Sequence, residues 1–290
     1  MENYLQNPIL VSFLLLLSLN YSYLIVSKFP KGIPRILALA PIFYLLYFFP
    51  WCFSLAFLRG ILSLFITWMT SFKLILFCFN RGPLSICENT IDFILISILP
   101  LKISREVHQK YEISNEKSIE KIKDESISDG SPSKISNSSI YERYEMEEIF
   151  RQPYLATTFQ DFWGRRWNRY ASKMLRLTIY DPTNEALRKF LGKNTARILA
   201  IVSTFVVSAI MHELMFYYIT CGLCLKPTCE VMWFFVLQGI CISCEKVFQA
   251  KNWVIMDPRV SILFKRILMV FSFYFLLVSP VMREGKNTCD

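Results

Sequence analysis

The stretch PILVSFLLLLSLNYSYLIVS, residues 8–27, contains no charged side chain. A helix of about 20 apolar residues is long enough to cross the hydrocarbon core of a bilayer, which is about 30 Å thick. Similar runs follow later in the chain, at residues 36–58, 60–80, 198–222, 230–248 and 260–282. These runs predict an all-α fold, a polytopic transmembrane helical bundle of about six spans.

The composition of the 290-residue chain agrees with a membrane location. Hydrophobic residues make up 53% of the sequence and charged residues only 19%, whereas soluble proteins carry about 25% charged residues. This composition excludes a disordered, fibrous or ordinary soluble protein. The formal net charge of +9 is compatible with nucleic acid, a membrane surface or an anionic substrate as partner. Because apolar runs dominate, we expect an integral membrane protein that binds no nucleic acid.

Basic residues beside the spans predict their orientation, because loops rich in Lys and Arg stay in the cytoplasm. The loop after the first span holds Lys28, Lys31 and Arg35, whereas Arg59 alone follows the second span. This asymmetry predicts an N-terminus outside the cytoplasm and a central segment, residues 81–197, inside it.

Two features depart from a simple series of spans. Lys73 interrupts the run 60–80 near one end, and its long side chain is expected to extend to the membrane surface. Residues 91–101 (IDFILISILPL) are mostly apolar but reach only about 16 Å as a helix. We expect this stretch to be interfacial or buried rather than to cross the bilayer.

His212 is a candidate catalytic residue because it lies in the apolar run STFVVSAIMHELMFYYIT, residues 203–220. Ionisable groups deep in a membrane helix are costly and usually face a cavity or a partner. A neutral imidazole in a dry site suits a general base, although a structural hydrogen bond to a neighbouring helix is an equally good interpretation. Glu213 lies about 100° around the helix, and we expect it to be a packing or hydrogen-bonding partner.

A basic, aromatic segment lies at residues 160–168 (QDFWGRRWN). One interpretation is an interfacial amphipathic segment, because Trp and Arg are common at headgroup level. The other is a site for an anionic, membrane-adjacent substrate, in which arginines hold phosphates and Asn168 gives a hydrogen bond to a reacting oxygen. On that interpretation the candidate substrate-binding residues are Gln160, Asp161, Phe162, Trp163, Arg165, Arg166 and Trp167.

The cysteines match a zinc template in their spacing alone. Cys221 and Cys224 form one C-x-x-C pair, and Cys241 and Cys244 form another, which fits a four-thiolate site. The second pair lies inside a predicted membrane span, where deprotonated ligands are unfavourable. We therefore expect no metal site.

Two stretches in this order, QPYLATTFQDFWGRRWN at 152–168 and VSAIMHELMFYY at 207–218, resemble the membrane-bound O-acyltransferase (MBOAT) superfamily. More narrowly, they resemble its plant wax synthase-like branch, which contains long-chain-alcohol O-fatty-acyltransferases and a related sterol acyltransferase. Two earlier stretches, at 29–43 and 72–85, resemble the same branch. The likeness covers most of the chain apart from a polar linker and the extreme C-terminus.

The resemblance implies an integral protein of the endoplasmic reticulum that moves a fatty acyl group from acyl-CoA to a lipid hydroxyl. The family's catalytic histidine matches His212, and the asparagine that closes its cytosolic motif matches Asn168. The implied reaction is wax ester synthesis on a long-chain fatty alcohol, with a sterol acceptor or an inactive acyl-CoA-binding relative as alternatives. The implied partners are acyl-CoA, the lipid alcohol and membrane lipids, and no metal or bound cofactor is expected.

The chain departs from the family pattern in its middle. Related proteins carry further hydrophobic helices between the positions of Lys102 and Phe150, whereas this chain has a polar stretch rich in Ser, Glu and Lys there. The shortened middle favours the inactive alternative. We expect three regions: N-terminal transmembrane helices at 1–101, a polar cytoplasmic linker at 102–150 and a catalytic membrane region at 151–290.

Overall fold

The computed structural model of the chain describes residues 7–103, 144–220, 229–251 and 258–279. Within them, six helices are long and apolar enough to cross a membrane, which confirms the predicted number and order of spans. In chain order the helices are α1 (Pro8–Leu24), α2 (Ile33–Phe48), α3 (Ala56–Cys78), α4 (Thr90–Ile98), α5 (Phe159–Asp161), α6 (Arg169–Leu175), α7 (Asp181–Leu191), α8 (Lys193–Ile219), α9 (Glu230–Ala250) and α10 (Pro258–Phe273).

Several helices contain or continue into turns of a different pitch. The 3₁₀ turns are Val26–Lys28 after α1, Phe49–Cys52 after α2, Pro83–Ile86 and Pro153–Leu155. The π-helical segments are Ser63–Thr70 within α3, Phe162–Arg166 after α5, Arg176–Tyr180 between α6 and α7, and Tyr274–Val278 after α10. Wider π turns are frequent at functional sites, and the segment Phe162–Arg166 contains four of the candidate substrate-binding residues.

The boundary between the second and third spans differs from the sequence prediction. The run 36–58 was expected to be one span, but the structure ends α2 at Phe48 and begins α3 at Ala56. Pro50 lies in the turn between them and has no backbone N–H to continue the helix. The predicted third span therefore begins four residues earlier than its apolar run.

Lys73 does not extend to the membrane surface, so that prediction was wrong. Its side chain is fully buried, and its ammonium group donates to the backbone oxygens of Ile96 and Ser97, the latter at 3.2 Å. These oxygens lie in the last turn of α4, where unpaired carbonyl groups carry partial negative charge. The short helix α4 thus lies against α3 and does not cross the membrane, as expected for residues 91–101.

Two short strands, β1 (Leu101–Ile103) and β2 (Tyr144–Met146), pair antiparallel, with Ile103 opposite Tyr144. They belong to a small compact unit, residues 99–147, separate from the helical unit formed by 1–98 and 148–290. Most of the polar linker predicted at 102–150 lies outside the described residues.

The helical unit is organised around α8, which packs on α3 through one face and on α9 through another. A methyl group at Gly60 of α3 would lie 2.8 Å from the side chain of Ile219, so these two helices approach closely. A methyl group at Gly239 of α9 would lie 2.8 Å from Phe205 of α8. Small residues allow such contacts between membrane helices.

The outermost helix, α10, presents most of its apolar side chains outward. Leu263, Phe264, Ile267, Val270 and Phe271 are all exposed. Exposed apolar surface of this extent marks a contact with lipid or protein rather than with water, which agrees with an integral membrane protein.

Candidate active site

His212 lies on α8 between the two packed faces of that helix. Val207 and Met211 belong to a hydrophobic cluster with side chains of α3 and α6. Ala209 and Phe216 belong to a second cluster with side chains of α9. Because residues on a helix are spaced by about 100°, the imidazole projects between these faces, toward the seam that separates α3 from α9.

The hydrogen bond of the His212 ring determines which nitrogen is available for chemistry. Nδ1 lies 2.7 Å from the backbone oxygen of Ser208. A carbonyl oxygen only accepts, so Nδ1 carries the proton and Nε2 of the neutral ring keeps its lone pair. The ring also stacks on Phe235 of α9, with centroids 3.9 Å apart and an interplanar angle of 25°. No described residue hydrogen-bonds Nε2, so its lone pair has no partner within the described part of the chain.

Glu213 ties α8 to the beginning of α9. Its two carboxylate oxygens accept from the backbone N–H groups of Cys229 and Met232, each at 3.1 Å. The expectation that Glu213 is a hydrogen-bonding partner is confirmed. Phe235 lies one helical turn beyond Met232, so this contact also sets the register between His212 and the ring on which it stacks.

The basic, aromatic segment begins at α5 and widens into a π turn. The Thr158 side chain accepts from the N–H of Asp161 at 2.9 Å and caps α5. The N–H of Trp167 donates to the carbonyl oxygen of Phe162 at 2.8 Å. This bond spans five residues, as in a π-helix.

Trp163 is the residue of this segment that the structure brings closest to His212 through an intervening ring. The Trp163 centroid lies 5.8 Å from that of Phe235, 6.0 Å from that of Phe234 and 6.0 Å from that of Phe205. Phe235 in turn stacks on His212. The segment and the histidine therefore share one aromatic cluster.

The other candidate rings lie beside Trp163. Phe162 stacks on Trp167 with centroids 5.5 Å apart and an interplanar angle of 14°. Trp167 also contacts Phe150 at 5.1 Å, and both stacked rings are half-buried. They extend the aromatic surface of Trp163 within the segment at 160–168.

The two arginines of the segment differ in their surroundings. Arg166 donates to Asp161 Oδ2 at 2.6 Å and to the backbone oxygen of Gln152 at 3.2 Å. Arg165 is exposed, and no described residue pairs with it. Of the two, Arg165 is the cation that remains open to an anionic ligand.

Asn168 has a left-handed backbone conformation, with φ 39°, which is uncommon for residues other than Gly and is enriched for Asn. Its Oδ1 accepts from the N–H of Ala171 at 3.1 Å and caps α6. The side-chain NH₂ group has no partner among the described residues. No hydrogen bond joins Asn168 to His212 in this structure.

Two polar residues of α9 that sequence reasoning did not assign to the site hold the segment in place. Gln238 accepts from the indole N–H of Trp163 at 3.3 Å. Glu245 accepts from the backbone N–H of Gln160 at 3.4 Å and pairs with Lys265 at 2.7 Å. Polar residues in a membrane span are themselves a functional signal, and that signal could have identified both.

Metal binding at the cysteines is a separate question. Cys221 and Cys224 lie outside the described residues, so the zinc template is not described as a whole. Among the residues that the structure does describe, no group of three His, Cys, Asp or Glu side chains could hold a metal ion.

The chain is similar in sequence to known proteins over most of its length. The sequence model of the membrane bound O-acyl transferase family matches residues 146–237, which include both candidate motifs. Acyl-CoA--sterol O-acyltransferase 1 of Arabidopsis thaliana is 36% identical over 270 residues, covering 80% of this chain and 77% of that protein. No solved structure matches significantly.

Several long-chain-alcohol acyltransferases of the same plant are also similar. Probable long-chain-alcohol O-fatty-acyltransferase 3 is 31% identical over 320 residues, covering 98% of this chain and 92% of that protein. Probable long-chain-alcohol O-fatty-acyltransferase 8 is 30% identical over 305 residues, covering 93% and 88%. Both alignments are longer than the 290-residue chain, so these relatives have residues inside the matched region that the chain lacks. With matches of this identity and extent, the chain belongs to the membrane-bound O-acyltransferase superfamily, in its plant wax synthase-like branch.

Proposed function

We propose that this protein is an acyl-CoA-dependent O-acyltransferase that transfers a fatty acyl group to the hydroxyl of a long-chain fatty alcohol and so forms a wax ester. The names of several similar proteins support this acceptor, and family membership supports the reaction type. The structural observation that carries the proposal is His212, whose Nδ1 is held by Ser208 while Nε2 has no partner among the described residues.

The proposed reaction is direct acyl transfer with His212 as general base. Nε2 takes the proton of the alcohol as the hydroxyl oxygen attacks the carbonyl carbon of the thioester. A carbon–oxygen bond forms, the carbon–sulfur bond breaks, and the imidazolium returns its proton to the departing CoA thiolate. The products are the ester and free CoA. General-base assistance of this kind contributes about 10²–10⁴-fold to a rate.

The basic, aromatic segment at 160–168 supplies the proposed substrate contacts. Arg165 binds a phosphate of CoA, because it is exposed and uncommitted, and Arg166 contributes only if it leaves Asp161. Trp163 shapes the path of the acyl chain beside the His212–Phe235 stack. Phe162 and Trp167, which stack on each other, continue that surface, while Gln160 fixes the start of the segment through its backbone.

Asn168 is proposed to donate its unpaired NH₂ group to the oxyanion or to a reactant. One such donor is worth about 10²–10³-fold in rate. Two variants separate this role from helix capping. Asn168→Asp keeps the capping oxygen and loses the donor, whereas Asn168→Gly keeps the left-handed backbone and loses the whole amide. Loss of activity in both supports the donor role, and an active Asn168→Asp enzyme restricts Asn168 to capping.

The proposed setting is the membrane of the endoplasmic reticulum, with the segment facing the cytosol where acyl-CoA is made available. Acyl-CoA acts as co-substrate and the acceptor arrives from the bilayer. The reaction as written balances without a metal or a bound cofactor, and we propose that none takes part.

The test is acyl transfer in microsomes from cells that express the chain, using labelled palmitoyl-CoA with fatty alcohols, sterols and diacylglycerol in turn. Wild type is compared with His212→Ala and with His108→Ala, the matched substitution at the chain's other histidine, which lies outside the described residues. We expect a fatty ester from wild type and His108→Ala and a loss of about 10²-fold or more in His212→Ala. Full activity in the membrane-inserted His212→Ala variant would contradict the general-base mechanism.

A sterol is the second candidate acceptor, because the sterol acyltransferase relative has 36% identity and the long-chain-alcohol relative that covers most of the chain has 31%. Sterol ester in place of wax ester in the same assay would select it. If the membrane-inserted protein binds acyl-CoA but forms no ester with any acceptor, the result would favour the interpretation as an inactive acyl-CoA-binding relative.

A further inference from the structure

We propose that Gln238 is a positioning residue for the reaction: its buried amide sets the orientation of Trp163 and thereby of the ring stack that holds His212. The inference rests on the proposed function. The evidence for it is one face of α9 that contacts both candidate motifs. Gln238 is a neutral polar residue within an apolar span, and the sequence analysis did not assign it to the site.

One face of α9 carries the contacts in question. Phe235, Gln238, Ile242 and Glu245 recur at spacings of three or four residues, so they lie along one side of the helix. All four are buried. Phe235 contacts His212, Gln238 contacts Trp163 and Glu245 contacts the backbone of Gln160. This face therefore holds the histidine of α8 and the segment after α5 in a common register.

Gln238 is the central member of that face, and both ends of its amide are bonded. Its Oε1 accepts from Trp163 Nε1 at 3.3 Å, and its Nε2 donates to Ser272 Oγ of α10 at 3.1 Å. Ser272 Oγ in turn donates to the backbone oxygen of Met269 at 3.1 Å. A buried amide with no exposed surface is stable in a membrane protein only when its polar atoms are paired. The series of hydrogen bonds from Trp163 through Gln238 and Ser272 to Met269 therefore fixes the orientation of the amide.

The fixed amide constrains the rings that follow. An indole with one bonded N–H and five neighbouring rings has few orientations available. Trp163 packs on Phe235, which stacks on His212, so a rotated Trp163 moves the surface against which the imidazole rests. Reaction rates are sensitive to displacements of about 1 Å in such positioning groups. Loss of the Gln238 bond should therefore reduce turnover more than the binding of either substrate.

The test is a double-mutant cycle on acyl transfer with Gln238→Met and Trp163→Phe, singly and together. Met matches Gln in length without its polar atoms, and Phe keeps an aromatic ring without the N–H. We expect each single variant to lower kcat about tenfold, as for loss of one hydrogen bond. We expect the double variant to match the weaker single variant, with KM for acyl-CoA changed less than about threefold.

Two further variants serve as controls. Gln249→Met makes the same change at an exposed position of α9 and should leave kcat unchanged. Ser272→Ala weakens the anchor of the amide without unpairing Trp163, and it should lower kcat by less than Gln238→Met does. This variant keeps the idea testable if Gln238→Met fails to fold.

A second readout does not depend on turnover. The chain labelled with 5-fluorotryptophan gives a ¹⁹F resonance for Trp163, assigned by its loss in Trp163→Phe. We expect that resonance to shift or broaden in Gln238→Met and to be unchanged in Gln249→Met. An unmoved resonance in Gln238→Met, or kcat losses that multiply in the double variant, would overturn the positioning role. An inactive wild type, or an active His212→Ala, would instead overturn the proposed function.

Discussion

Replacement of Glu213 by Ala should destabilise the protein by removing a helix cap that comes from a neighbouring helix. In an isolated helix, a capping box satisfies the N–H groups of the N-cap and N3 residues with two separate side chains. Here one carboxylate accepts from both of these positions of α9, Cys229 and Met232, at 3.1 Å each. The variant leaves both N–H groups without that partner.

The magnitude follows from those two bonds. Loss of a capping side chain typically costs about 0.5–2 kcal/mol, and a hydrogen bond to a charged group contributes about 1.5–3 kcal/mol. We therefore expect Glu213→Ala to lower the free energy of unfolding by about 2–4 kcal/mol. At about 2–4 °C per kcal/mol for a domain of roughly this size, the thermal midpoint should fall by about 4–16 °C. Glu213→Gln keeps one good acceptor oxygen, and we expect about half of the effect.

The assay is size-exclusion chromatography of the detergent-solubilised chain after heating, with the remaining monodisperse fraction plotted against temperature. Glu185→Ala is the matched control, because Glu185 is exposed on α7 and its loss should leave the midpoint unchanged. A Glu213→Ala midpoint within about 1 °C of wild type would refute the capping role, since the loss of two hydrogen bonds to a carboxylate should cost more than that.

Four further substitutions have defined outcomes. Gly239→Ala places a methyl group 2.8 Å from Phe205, and we expect the forced shift to cost about 1–3 kcal/mol, measured as a lower thermal midpoint. Lys73→Met removes the donor to two carbonyl oxygens of α4, and the same measurement should show a loss of about 1–3 kcal/mol. Arg165→Gln should raise KM for acyl-CoA several-fold. Arg166→Gln breaks an internal ion pair and should chiefly lower stability. Equal KM values for the two variants would contradict these different roles.

The membrane spans could be predicted from the sequence because their signal is additive over about 20 residues. The fate of a single polar residue within a span could not. Lys73 was expected to extend to the surface because a long side chain often does, but its position beside the C-terminal carbonyls of α4 provides a buried alternative. That alternative depends on how α3 and α4 pack, which no local pattern encodes.

The candidate site, like the spans, could be predicted only in part from the sequence. His212 and the segment after α5 stood out because ionisable and aromatic residues are conspicuous there. The pairing of Asp161 with Arg166 did not, because residues five apart lie on different faces of an α-helix, whereas a π turn brings them together. Gln238 was missed since a lone neutral amide leaves no periodic signal, and its role follows only from the contact of α9 with Trp163.

The pairing of Ile103 with Tyr144 has a consequence for how this chain tolerates changes in length. The residues between them begin and end at one paired position of a β-ladder. The entropy of closing a loop on such a pair rises only with the logarithm of its length, about 0.6 kcal/mol for each doubling. Residues can therefore be inserted or deleted at this position with little penalty, which makes it a natural point for length variation and a suitable one for an internal fluorescent or affinity tag.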